Sequence, residues 1–454
     1  MDLLKNFDEV ATSRERKLAL DILKKTVEDC DPRKMVKGSV KKKGDGIEIL
    51  GNDISFGDND VYVIGAGKSS GYMAEALNDV IGDYITKGII NTDSGHTDMG
   101  NIRVQKSSVS PTKQNINNTA RILTLAKKVK QEDIVIFLIS EGSSSMLMHP
   151  SGEITQEDLI KAEKLIRESG IPEEDADKIR KHISSVKGGR LAEAFGCRFF
   201  TLVISDKEDG DLSEVGGSPC DSDISTFDDA TKITKDNKLK FPKTVLNHLD
   251  AGKKGKIEDT PKVMPTNSKI FVIGSIFDIL SSAKKHSAER RIKAQEFKLT
   301  GGIKESARAL SDALMKERSR PCMYIGYGKN VDDDDWKGSR NSQFIVETVN
   351  LLGDLKKPWL LLSFDTGSTA PDGDLRGAMV DGSQFEKVSS FEEDDTDSSD
   401  KFLNKYASMI RSDGMTVDLS DIVIAFLGTG WNNKRNNSKR NNSKRNKNVK
   451  RRQR

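Results

Sequence analysis

The sequence predicts an α/β protein made of two α/β domains, the first around a Rossmann-like parallel sheet. Three observations predict it. Short, wholly apolar runs alternate with helical patterns, as strands buried on both faces of a parallel sheet require. At 454 residues the chain exceeds what one hydrophobic core commonly serves. The alternation also breaks off and restarts between about residues 245 and 290.

Residues 13–29 have the spacing of an amphipathic helix, with Ser13 as its cap and Leu18, Ile22 and Val27 on its apolar side. Asp31-Pro32 ends it. Strands are then expected at 61–64, 88–91, 134–140 and 199–205, with helices at 70–80 and 116–130. After the restart come a strand at 270–274 and a long helix at 276–293. The second unit reads as helices at 305–316, 342–352 and 400–410, with strands at 323–326, 359–364 and 422–427. The expected domains are 1–290 and 291–431, followed by a tail at 432–454. Two acidic runs, 332–335 and 392–400, read as solvated loops, although such a run can also hold a cation.

The net charge of +3 hides an asymmetry. From Asn432 onward there are eleven Lys and Arg and no acid, so the remaining body stands at −8. The tail repeats Asn-Asn-Ser-Lys-Arg, has almost nothing to bury, and is expected to be disordered. Without aromatics it offers nucleic acid only unspecific counterion release, so no specific nucleic-acid partner is expected. No apolar run approaches the roughly 18 residues of a membrane span, and residues 1–6 do not form a secretory signal. The four cysteines are scattered without a Cys-x-x-Cys pair, which points to reduced thiols, a cytoplasmic protein and no zinc site.

Two segments combine glycine with positive charge. Residues 179–192 bring together Arg180, Lys181, His182, Lys187, Gly188, Gly189 and Arg190. One reading is a basic helix, a glycine break and a second helix. The other is an anion site, in which backbone N–H groups and cations converge. The residues alone do not choose between them. Position in the chain favours the anion site, because the segment falls between two turns that also have phosphate-site chemistry. The earlier turn, Gly65-Ala66-Gly67-Lys68-Ser69, joins an expected strand to an expected helix. It fails the Walker A pattern, which needs glycine where Tyr62 stands, and it only partly matches Gly-x-Gly-x-x-Gly. Lys68 is its informative residue: a lysine in a helix's first turn opposes the dipole unless an anion sits there.

Other strand ends carry candidate groups. Ser140-Glu141-Gly142-Ser143 is a run of small polar residues at a predicted sheet edge. Asp206 and Asp211 could position Mg²⁺, and Asp206 could accept a hydroxyl proton. Arg340-Asn341, at a predicted helix start, has the makings of an anion clamp.

Taken in this order, the segments resemble the type II glycerate 2-kinases, whose C-terminal half is the MOFRL domain. The resemblance covers roughly residues 13–428. It rests on Gly65-Ala66-Gly67-Lys68 with Met73-Ala74, on 179–192 nearly intact, and on Ser205-Asp206, Gly210-Asp211 and Ser225-Thr226-Phe227. It implies ATP-dependent transfer of phosphate to the 2-hydroxyl of D-glycerate, giving 2-phosphoglycerate, with Mg²⁺ and with the site in the cleft between the domains. It implies active-site roles for Lys68 and Arg340-Asn341, with Asp206 the third catalytic candidate from its own place after a predicted strand. It also implies substrate or phosphate contacts from Gly65, Gly67, Ser140, Ser143, Arg180, Lys187, Gly188, Gly189, Arg190 and Asn341. The family's Ser-Gly-Gly turn is Ser140-Glu141-Gly142 here, and the second-half motifs are the most altered. Two alternatives therefore stand beside it: a kinase of another hydroxy or sugar acid, and a non-catalytic ligand-binding relative. The partners implied are glycerate and a nucleotide, with no membrane. A homodimer is left open.

Overall fold

The computed structural model describes residues 3–428 except 207–211, 265–267, 319–320, 329–338, 354, 356, 368–372, 389–397, 407, 413–415 and 420. The tail, both acidic runs apart from 398–400, and Asp211 lie outside the described residues.

A three-stranded antiparallel meander comes first: β1 (Val40–Lys43), β2 (Gly46–Ile49) and β3 (Asn52–Ser55). Then come β4 (Val61–Ala66), β5 (Ile85–Thr92), β6 (Ile102–Lys106), β7 (Ile134–Ile139), β8 (Arg198–Ser205) and β9 (Lys269–Ser275). They form one all-parallel sheet in the order β6-β5-β4-β7-β8-β9. That is the Rossmann arrangement, with order reversing between β4 and β7. All six residues of β7, and all six of β4, are buried. Alternate residues serve the two faces: Val63, Ile136 and Leu138 face one core, and Tyr62, Ile64, Val135 and Phe137 the other.

The second sheet comprises β10 (Lys293–Lys298), β11 (Cys322–Gly328), β12 (Trp359–Asp365), β13 (Leu375–Asp381), β14 (Met409–Arg411) and β15 (Asp421–Leu427). Its order is β10-β11-β15-β12-β13-β14, and only the β10–β11 pair is parallel. The helices Arg14–Asp29 and Ile276–Glu289 share one core with residues of both sheets, among them Val63 and Leu202 from the first and Ile325 and Leu362 from the second.

The N-terminal segment crosses to the second sheet. The Lys5 N–H donates to the Arg411 carbonyl at 2.9 Å, and Asn6 Nδ2 to the Met409 carbonyl at 2.9 Å. Arg16, read from sequence only as part of a helix, is 2% exposed. Its guanidinium donates to the Val10 and Met379 carbonyls, Asp381 and Gln384.

Two sequence expectations are corrected. The helix expected at 276–293 ends at Glu289, and Lys293 opens β10. β10 is an edge strand of sequence Lys-Ala-Gln-Glu-Phe-Lys with no fully buried residue, so it lacks the apolar alternation that marks a half-buried strand. The helix expected at 400–410 is only Ser399–Asn404, and Met409–Ile410 belong to β14. β1, β2, β3, β6 and β13 were not expected at all.

Candidate active site

The parallel sheet places two turns side by side at its switch point, where open α/β sheets bind ligands. After β4 the chain runs through Gly67 and Lys68 into the helix Ser70–Ile81; after β7 it runs through Ser140 and Gly142 into the short helix Ser143–Met146. Close packing of these turns explains their glycines. A Cβ on Gly65 would come within 2.9 Å of the Leu138 carbonyl oxygen, and one on Gly67 would collide with Ser140. Gly67 also has φ +124°, which side chains rarely adopt.

The N–H groups of the first turn are spent internally. Gly67 donates to the Asn91 carbonyl, Lys68 to the Glu141 carbonyl, Ser69 to Ser140 Oγ and Ser70 to the Gly67 carbonyl, at 2.9–3.2 Å. The turn is therefore not an amide cradle. What it presents is the Lys68 ammonium, at the start of a helix whose dipole disfavours it.

That ammonium lines a cleft of about 520 Å³. Residues 140–145, Ser205, Asp206 and Gly216 line it as well, together with Glu163, Glu173, Asp177 and Arg180 from the helices beyond. From the second domain, Asp418 pairs with Lys68, and Ser69 Oγ donates to the Thr416 carbonyl at 3.0 Å. Three residues further on, Asp421 is fully buried and meets Arg340 at 3.7 Å; Asn341 Nδ2 donates to it at 3.2 Å. One segment, 416–421, thus touches both the Lys68 turn and the Arg340-Asn341 helix start. Arg340 and Asn341 do not themselves line the cleft.

The basic segment behaves differently. It forms a helix, Glu173–Ile183, a glycine break and a second helix, Arg190–Phe195. Its cations turn inward. Arg180 donates to Glu163, Glu173 and Asp177 at 2.6–3.1 Å; burial pulls its pKa down, but these three carboxylates together hold it above the usual value. Lys181 meets Asp223, and the fully buried His182 lies 2.8 Å from Asp259. Lys187 is fully buried and donates to the Ser144 carbonyl, Ser144 Oγ and the Gly216 carbonyl at 2.8–3.1 Å. Burial lowers its pKa to about 8.

Gly188 and Gly189, at φ +59° and +82°, give their N–H groups to the carbonyls of Gly217 and Ser218. Arg190 donates to the Glu258 carbonyl. The structure brings Arg180 to the cleft wall and places Lys187 directly behind it, but Gly188, Gly189 and Arg190 do not line the cleft.

Two further residues join the Lys68 neighbourhood. Asp418 is not among the candidates the sequence offers. Asp93, just past β5, is not among them either. Both Asp93 carboxylate oxygens are sealed from solvent, and neither accepts a hydrogen bond from another described residue. Burial raises its pKa, Lys68 draws it back down, and Asp418 raises it further.

A Rossmann-ordered sheet joined to a second mixed sheet, with a lysine-bearing turn at the switch point, defines a class of two-domain α/β proteins with a polar, charge-lined cleft at that point. Comparison with known proteins narrows it. Residues 18–250 match the family described as "Domain of unknown function (DUF4147)". The glycerate 2-kinase of Pyrococcus horikoshii is 28% identical over 388 residues, covering 82% of this chain and 87% of that protein. A protein of Agrobacterium vitis named "Putative hydroxypyruvate reductase" is 31% identical, covering 70% of this chain and 85% of its own length. The crystal structure of the Thermotoga maritima glycerate kinase shares the fold at TM-score 0.76 and 24% identity, over 90% of this chain and 99% of that one. The chain belongs to the type II glycerate 2-kinase family. Among the described residues no helix is long and apolar enough to cross a membrane.

Proposed function

We propose that the protein transfers phosphate from ATP to the 2-hydroxyl of D-glycerate, giving 2-phosphoglycerate. The observation that supports this reading best is the Lys68 ammonium, which lines the switch-point cleft beside Asp206 and the serine turn. Phosphoryl transfer needs positioning and charge neutralisation more than covalent chemistry. Lys68 neutralises the transferring phosphoryl group. The hydroxyls of Ser140 and Ser143 donate to substrate or phosphate oxygens. Asp206, which lines the same cleft, accepts the proton of the attacking hydroxyl. Arg340 and Asn341, anchored on Asp421, close on the phosphates from the second domain, with the boundary kept at 290/291. Arg180 and Lys187 shape the wall rather than ligate.

Magnesium is commonly held by one or two carboxylates together with substrate phosphates. Asp206 supplies one carboxylate, and among the described residues no group of three or more His, Cys, Asp or Glu could cage a metal. That donor set fits an ion that arrives with the nucleotide. Bound Mg²⁺ would neutralise charge on the phosphates. The four cysteines, all buried and none in a disulfide, suit the cytoplasm.

The test is a coupled assay of purified protein with ATP, Mg²⁺ and a panel of hydroxy acids. D-Glycerate should be the best acceptor, and Lys68→Ala should lower kcat by about 10²–10³. A better acceptor than glycerate moves the reading to another hydroxy-acid kinase. Nucleotide binding without product moves it to a non-catalytic relative.

A further inference from the structure

In its described surroundings the Lys68 turn has two carboxylates near it, from different parts of the molecule. Asp418 comes from the second domain and pairs with it directly, at side-chain exposures of 15% for Lys68 and 7% for Asp418. Asp93 directly follows Thr92, the last residue of β5, whose Oγ1 donates to the Lys68 carbonyl at 3.4 Å; the Lys68 charge in turn acts on the Asp93 carboxyl, drawing its pKa down against the rise that burial causes. A buried polar group without a hydrogen-bond partner costs free energy and calls for an explanation. Asp93 presents two such oxygens, next in sequence to the Thr92 that contacts the Lys68 turn. Two carboxylates around one ammonium also leave a negative balance where an anion must enter, and in a partly dehydrated site that repulsion is only weakly screened.

We propose that Asp93 and Asp418 set the specificity of the Lys68 centre: they hold off bare phosphate-type anions and admit an anion that carries its own divalent cation. This deepens the nucleotide reading above and rests on it. A free dianion reaching Lys68 must displace Asp418 and then lie near two carboxylates. A cation-complexed polyphosphate brings positive charge with it, so the same carboxylates become favourable neighbours. Asp93, with no other claim on its oxygens among the described residues, is the group that changes most between the two cases. Both act on the ligand's charge around Lys68, and neither is assigned a chemical step.

Calorimetry on the full chain tests this without turnover. The probes are inorganic phosphate without metal, and ATP with and without Mg²⁺. For the wild type, Mg²⁺ should tighten ATP binding strongly, and phosphate alone should bind weakly. Asp93→Asn and Asp418→Asn should each tighten metal-free phosphate fivefold or more and shrink the Mg²⁺ effect on ATP. The double variant should exceed either single one. Equal or weaker metal-free binding in folded Asp93→Asn would overturn the proposal, whatever Asp418→Asn does to the domain contact. Should the amide variant fail to fold, Asp93→Ser carries the same expectation and the same refutation. If neither wild type nor variants bind ATP, the nucleotide reading fails. The phosphate comparison still decides the specificity claim.

Discussion

The Lys68 turn and the basic segment 179–192 start from the same ingredients, glycines beside cations, and end in opposite roles. In the segment, each cation meets a partner of its own domain: three carboxylates for Arg180, Asp223 for Lys181, Asp259 for His182, and carbonyls for Lys187 and Arg190. In the turn, Lys68 is paired at the edge of the cleft with Asp418, from the segment that leads into β15 of the second sheet. A cation satisfied within its own domain builds structure. A cation whose partner lies on another domain can exchange that partner for a ligand. Local composition shows that charge is present, and only the source of the counter-charge tells which use it has.

The largest expected effect breaks the comparison at its catalytic end. Lys68→Ala should lower kcat by about 10²–10³ while the melting temperature moves by no more than a few degrees. Loss of activity through unfolding would erase the distinction between the two regions.

The next effect breaks it at the structural end. Arg180→Ala strands the buried carboxylates of Glu163 and Asp177 around an emptied site, and breaking a buried ion network in this way costs about 3–5 kcal/mol. Chemical denaturation should register that loss. A stable Arg180→Ala protein with poor substrate binding would return the segment to the role of anion site.

A smaller effect is set by pH. In the folded chain Lys187 titrates near 8, and burial is the main cause. Unfolded, it titrates near the ordinary lysine value of about 10.4. Between these values the unfolded state binds the extra proton, so Lys187 contributes stability that grows as pH rises through this window. Below pH 8 both states are protonated and the full cost of burying the charge is present. Relative to Lys187→Met, the wild type should gain up to roughly 3 kcal/mol between about pH 8 and 10.4. Parallel melting curves for the two proteins across that range would show that Lys187 is not buried as described.

The smallest effect sharpens the boundary. Arg190→Ala should change the KM for glycerate by less than about twofold, because Arg190 bonds the Glu258 carbonyl away from the cleft. A tenfold rise in KM would bring the glycine break back into the site.

These contrasts also mark what the sequence could disclose. β4, β7 and β8 were legible because central parallel strands are apolar on both faces. β10 was not, because an edge strand with charged residues resembles a helix end. Lys68 was legible because a lysine at a helix start runs against the dipole. Asp93 and Asp418 were not, because their meaning lies in a meeting across 325 residues of sequence that only the fold creates. The inward turn of Arg180 and Lys187 was hidden for the same reason: Glu163 and Gly216 belong to other elements, and spacing within 179–192 says nothing of them.

A crystal structure of the protein with a non-hydrolysable ATP analogue, Mg²⁺ and glycerate would show which of the two regions holds the phosphates. Phosphate oxygens should lie within hydrogen-bond distance of Lys68 Nζ, with Asp418 no longer paired to it. Phosphates seated on Gly188, Gly189 and Arg190, with the Lys68–Asp418 pair intact, would contradict it.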